Sequence, residues 1–71
     1  MRRYPVLRSS SILTLGYDRK KQMLELEFDN RHVYRYFEVP FRLVKELIAA
    51  RSMGRYFNAM IKGNFPCEQL Y

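Results

Sequence analysis

Reactive side chains are scarce in this 71-residue chain: Cys67 and His32 are its only thiol and its only imidazole. A single cysteine excludes a disulfide within the chain. One Cys and one His also fall short of the four ligands that a structural zinc takes. Nucleophilic catalysis needs a nucleophile, a base and a group that orients the base. Ser9-Ser10-Ser11 supplies hydroxyls without a base, and His32 follows the turn residues Asp29-Asn30-Arg31, where it reads as a polar strand-end residue. Cys67 belongs to a C-terminal tail, so a Cys67–His32 dyad is not expected. Asp18 beside Tyr17 reads as turn chemistry. The chain is therefore expected to have no catalytic residues, no metal and no cofactor, and not to be an enzyme.

Binding chemistry is better represented. The formal net charge is +6, spread as +5 over residues 1–21, −2 over residues 22–38 and +4 over residues 39–65. Three basic groups stand out: the Arg19-Lys20-Lys21 turn, Arg42 with Lys45, and Arg55 with Lys62. A surface that tracks phosphates needs such residues clustered on one side. The plainer reading is a set of solvated helix faces, since a helix that buries one stripe leaves its charges on the other. Tyr34 and Tyr36 suit base stacking if they lie on an open sheet. They suit a core if helices cover them. Asn58 carries an amide that either bonds a strand-end backbone group, the reading preferred here, or reads a ligand.

These residues must be held by a small set of elements. Ile12 to Tyr17 is β-branched and apolar enough for a strand. In Met23 to Phe28, Leu24, Leu26 and Phe28 alternate with Glu25 and Glu27, the pattern of a half-buried strand. His32 to Phe37 forms a third. The loop between the last two decides where the tyrosines point. A two-residue loop sets Leu26 opposite Arg35 and puts an arginine on the apolar face. A three-residue loop, Asp29-Asn30-Arg31, sets Leu24 opposite Tyr36, Leu26 opposite Tyr34 and Glu25 opposite Arg35. Opposed residues share a face, so the second register gathers leucines with tyrosines and pairs charges outside. It also avoids burying an unpaired charge. This register is preferred, with Arg31 in the left-handed region and both tyrosines inward.

Val39-Pro40 ends the sheet, and proline suits a helix start. Phe41, Val44, Leu47 and Ile48 mark one helix stripe. Ser52 is a cap for a second helix and Gly63 its terminator. Met53, Tyr56, Phe57, Met60 and Ile61 follow helical spacing, with Arg55, Asn58 and Lys62 opposite. Gly54 in the first turn breaks the pattern, and is read as a point where the two helices approach closely. The expected fold is α+β: a three-stranded antiparallel meander packed against two C-terminal helices, βββαα in two layers.

Three pieces of the chain now take on meaning together. Ser10-Ser11-x-Ile-x-x-Leu-Gly16-Tyr17-Asp18, the pair Tyr34-Arg-Tyr36 with Val39-Pro40, and Ser52-x-Gly54-x-Tyr56-Phe57-Asn58-x-x-Ile61-Lys62 resemble the KTSC domain. That small bacterial family occurs at the C-terminus of some lysyl-tRNA synthetases and as stand-alone proteins. The resemblance runs from about Ser9 to Phe65. It implies a domain without assigned function, with RNA binding suggested by the synthetase context, and it marks Tyr34, Tyr36, Ser52, Gly54 and Asn58 as motif residues. Arg31 departs from the pattern, since the family usually carries glycine before the Tyr-x-Tyr strand.

The chain thus divides into a flexible basic arm (1–8), a KTSC-like domain (9–65) and a tail (66–71) in which Phe65 just ahead still packs. The expected function is that of a non-enzymatic accessory domain binding RNA or another polyanion through Arg19, Lys20, Lys21, Arg42, Lys45, Arg55 and Lys62. The alternative is a protein-interaction module or homodimer using apolar surface such as Phe37, Phe41, Phe65 and Tyr71. No apolar run approaches the roughly 20 residues of a membrane span, Met1-Arg-Arg-Tyr-Pro leads into no signal-peptide core, and a lone cysteine fits a reducing compartment. A cytoplasmic location is expected.

Overall fold

The register of one hairpin organises the molecule. A computed structural model describes residues 1–71 as β1 (Tyr4–Pro5), β2 (Ile12–Asp18), β3 (Met23–Phe28), β4 (Val33–Tyr36), α1 (Phe41–Ala49), α2 (Met53–Tyr56) and β5 (Cys67–Gln69). A π-helical turn, Phe57–Ile61, continues α2 without a break. Between β3 and β4, Leu24 pairs with Tyr36, Glu25 with Arg35 and Leu26 with Tyr34. The loop is Asp29-Asn30-Arg31, closed by the Phe28 N–H donating to the His32 carbonyl at 3.0 Å. Arg31 has φ 72°, a conformation that costs a non-glycine residue about 1–2 kcal/mol. The apolar alternation of β3 holds it there.

The sheet has five antiparallel strands in the order β1-β2-β3-β4-β5, not the expected three. Both additional strands come from segments read as an arm and a tail. Tyr4 pairs with Leu15 at one edge, and Cys67 pairs with Tyr36 at the other. Neither segment carries the four or more alternating residues that announce a strand. Every residue of β1 and β5 is exposed, so no apolar face betrays them. What holds them is backbone hydrogen bonding, and Pro5 suits an edge because it has no donor to offer a further strand.

One face of this sheet meets the two helices, giving the two-layer α+β arrangement. The core comprises Ile12, Leu24, Leu26, Tyr36, Val39, Leu43, Val44, Leu47, Met53, Phe57 and Ile61, with Phe65 packed against it. In α1 the buried stripe is Leu43, Val44 and Leu47, while Ile48 is 51% exposed. Val44 and Leu47 are buried as expected, and Leu43 takes the place expected of Ile48. Glu38 (φ 63°) turns the chain out of β4 and into α1. The Ser52 hydroxyl accepts from the Arg55 N–H at 3.3 Å, and Gly63 (φ 80°) follows the last turn. No helix is long and apolar enough to cross a membrane.

The opposite face of the sheet holds one buried charge. Glu25 is 3% exposed. Its Oε2 accepts from Arg35 Nε at 2.9 Å, and its Oε1 accepts from Arg3 Nη1 at 3.2 Å. Gly16 lies opposite Glu25 on β2, and a Cβ there would stand 2.6 Å from the Arg2 carbonyl oxygen. Its bare backbone is what lets the N-terminal strand cross closely enough for Arg3 to reach the carboxylate. A buried charge that loses a partner costs several kcal/mol, whereas a half-exposed one that does so rehydrates. Arg35→Met is therefore expected to destabilise by about 2–4 kcal/mol and Arg3→Met by less, because Arg35 supplies the two-pronged contact. Urea unfolding of both variants checks the order, and equal losses would contradict it.

Candidate functional site

An aromatic floor underlies the candidate site, and the hairpin register places it. Tyr34 and Tyr36 stand two residues apart on β4, so both project toward the helices. Their rings stack with centroids 6.4 Å apart. Phe28, at the end of β3, meets Tyr34 edge-on at 5.9 Å, and Phe57 meets Tyr36 edge-on at 5.4 Å. Phe28 and Phe57 close the circuit at 5.1 Å. All four separations fall in the range where aromatic pairs gain energy beyond simple burial. Over these rings opens a pocket of about 410 Å³, rimmed by Ser11, Asp29, Asn30, Asn58, Lys62 and Cys67.

The π-helical turn decides which helix residues reach that rim. The Lys62 N–H donates to the Phe57 carbonyl five residues back, at 2.9 Å, and the wider turn brings residues four apart near the same angle. Met53, Phe57 and Ile61 form one row, sunk in the core. Gly54, Asn58 and Lys62 form the next row, along the pocket. Ordinary helical spacing puts Arg55 on one stripe with Asn58 and Lys62, but Arg55 does not line the pocket. Met60, expected in the core, is 42% exposed for the same reason. Gly54 provides a close approach, though to the lead-in of β2 and not to α1: a Cβ there would lie 2.6 Å from Ser11 Oγ. The Asn58 amide, expected to bond a strand end, makes no hydrogen bond within the chain and is exposed at the rim.

Tyr36 is the most deeply set polar residue of the pocket, at 5% exposure. No fully buried side-chain N or O lacks a hydrogen-bond partner. The Tyr36 hydroxyl bonds to nothing in the chain, so it must open into the pocket it lines. Burial pushes its phenol up to about 12, with Cys67 and Tyr34 adding to the effect. The Tyr34 hydroxyl, by contrast, donates to Gln69 Oε1 on β5 at 3.3 Å. Tyr36 is thus both core and site.

The basic residues do not form one surface. The Arg19 guanidinium lies over the Phe41 ring at 3.9 Å, and the Lys45 ammonium stands 5.6 Å from the same centroid. Phe41 is itself stacked on Tyr17 at 6.1 Å, and the Tyr17 hydroxyl donates to the Val39 carbonyl at 2.5 Å. Burial raises the Tyr17 phenol, with Arg19 opposing and Asp18 adding. Lys20 and Lys21 flank this corner, exposed, in a turn where Asp18 accepts from the Lys21 N–H at 3.1 Å. Arg42 faces Glu46 at 3.7 Å, and Glu46 accepts from the Tyr56 hydroxyl at 2.6 Å. Desolvation and then that bond push Tyr56 up to about 12, Arg42 opposing. Lys62 belongs to the pocket and Arg55 to neither group. His32 Nδ1 lies 3.1 Å from the Tyr71 carbonyl oxygen, at the strand end. No three His, Cys, Asp or Glu side chains gather as metal ligands.

Sequence reasoning missed the pocket as a unit. Ser11, Asp29, Asn30 and Cys67 reach it from three separate turns and edges, which no local spacing reports. The one legible signal was Gly54, Asn58 and Lys62 at intervals of four.

These features define a small two-layer α+β domain with an aromatic-floored pocket on its helix side. The chain belongs to the KTSC domain family, whose model matches residues 8–65. A crystal structure of a KTSC domain protein from Yersinia pestis superposes with a TM-score of 0.92 at 41% identity, covering 99% of this chain and 97% of that one. An uncharacterized protein of Stutzerimonas stutzeri is 48% identical over 56 residues, 79% of each chain. A lysine–tRNA ligase of Nostoc punctiforme is 44% identical over 69 residues, which are 94% of this chain and 12% of the ligase.

The raised Tyr36 phenol has a consequence for stability. The folded state holds that proton more tightly than the unfolded chain, whose phenols titrate at about 10. Its contribution is complete below pH 10 and is lost as pH rises toward 12. Tyr36→Phe is expected to flatten the fall of the urea midpoint over that interval. Parallel curves for the two proteins would contradict the assignment.

Proposed function

We propose that this KTSC domain is a non-enzymatic accessory module that binds RNA, gripping phosphates at the corner built from Arg19, Lys20, Lys21 and Lys45. The support is geometric. Arg19 from the β2–β3 turn and Lys45 from α1 both stand against the Phe41 ring, so one ring draws together two cations from distant sequence positions. Pre-positioned cations lose less side-chain freedom when they meet a phosphate. Arg42 contributes less, because Glu46 partly neutralises it. The similarity to a segment of a lysine–tRNA ligase supplies the RNA context, and the net charge of +6 favours any polyanion.

Short unpaired RNA is expected to bind with an affinity that falls with salt at a slope of about 0.7 per phosphate neutralised. Arg19→Ala and Lys45→Ala should each lower that slope by a little under one. Binding indifferent to salt, or unaltered in both variants, would count against the corner as the contact.

A second reading, self-association, has its own observation. Of the apolar residues expected to serve it, Tyr71 is exposed, whereas Phe37, Phe41 and Phe65 are half-buried and leave little surface to share. The exposed apolar patch lies elsewhere, where Tyr4 (59%), Leu7 (93%) and Ile48 (51%) border a groove of about 320 Å³. On this reading Leu7→Ser and Ile48→Ser weaken a concentration-dependent dimer in sedimentation. A monomer at all concentrations ends it.

A further inference from the structure

Three groups around the aromatic floor are left unused by the fold: the Tyr36 hydroxyl, the Asn58 amide and the Lys62 ammonium. The Tyr36 case is the most telling, because a phenol this buried normally finds a hydrogen-bond partner. Here it is 5% exposed and yet opens into the pocket without one. Asn58 offers a donor and an acceptor side by side, and Lys62 forms no ion pair. The Asp29 carboxylate at the rim adds an acceptor. A pocket of about 410 Å³ falls at the small end of ligand sites.

We infer that this pocket binds one nucleotide, as a planar base with its phosphate. The half-buried rings of Phe28 and Tyr34 are the part of the floor that meets the face of the heterocycle, as in single-strand sites. Asn58 and the Tyr36 hydroxyl meet the base edge, where donors and acceptors alternate. Lys62 meets the phosphate as a point charge. The inference rests on the nucleic-acid reading of the domain but on different residues, since the pocket shares none with the Phe41 corner. The nucleotide comes either from an unpaired stretch of RNA or from the free pool, and the shared chemistry is the same.

The test is an amide-shift titration of the full chain with the four nucleoside monophosphates, with ribose 5-phosphate and with a tetranucleotide. At least one monophosphate is expected to move the amides of Gly54, Asn58, Lys62 and Cys67 while ribose 5-phosphate leaves Gly54 and Cys67 still. Asn58→Ala and Lys62→Ala, both at exposed positions, should each weaken binding by about tenfold. Tyr36→Phe keeps the ring and should weaken it by a smaller factor. A tetranucleotide that outbinds every monophosphate at these amides identifies a strand as the source, and the reverse order identifies the free nucleotide. Ribose 5-phosphate acting as well as any nucleotide overturns the inference, as does silence of the pocket amides with all probes. RNA shifts confined to residues 19–21 and 42–45 overturn it too, while leaving the corner as an RNA contact intact.

Discussion

The register of the β3–β4 hairpin is the constraint from which the rest of the molecule follows. Side chains alternate with a period of two, so a slip of one residue would send every inward group outward. With Asp29-Asn30-Arg31 as the loop, Leu24 and Leu26 share a face with Tyr36 and Tyr34. Glu25 and Arg35 share the other. The same choice that builds the aromatic floor therefore builds the buried ion cluster on the far side. Arg31 bears the cost of a left-handed backbone, and the burial gained across two faces outweighs it.

The two faces are stabilised by different physics. Beneath the helices, aliphatic and aromatic side chains exclude water and fix the tyrosine rings by edge and stacking contacts. On the other face, Arg3, Glu25 and Arg35 form a hydrogen-bonded triad with the carboxylate at its centre. A central charge satisfied on both oxygens meets the condition under which a buried ion pair is tolerated. Gly16 makes the charged face possible, because its missing side chain admits the strand that carries Arg3.

How much of this could be read from the sequence depended on whether the signal was local. Leucine–glutamate alternation in β3 and the opposite charges at Glu25 and Arg35 are enough to specify the hairpin loop, the inward tyrosines and the strained Arg31. The edge strands were invisible for a physical reason: residues 4–5 and 67–69 bury no side chain and are recruited mainly by the backbone of a neighbour. The basic surface was half legible. Lysine and arginine positions were clear, but their grouping depended on the Phe41 ring and on Glu46, which draw Arg19, Lys45 and Arg42 into different company. Helical spacing assumes about 3.6 residues per turn, and the π-helical turn that continues α2 does not keep it.

That departure sets a phase for everything downstream of Tyr56. The five-residue bond between Phe57 and Lys62 accommodates one residue more than an α-turn would. A residue removed from 57–61 is absorbed if the turn reverts to ordinary four-residue winding, whereas one removed without that change rotates the following chain by about 100°. Lys62 would then swing away from the aromatic rings, and the return path through Phe65 to the β4 edge would be misaimed. The wider turn thus lets the helix carry one more residue while keeping Lys62 and the return path in phase, and an exposed residue such as Ala59 counts for its place in the winding more than for its side chain.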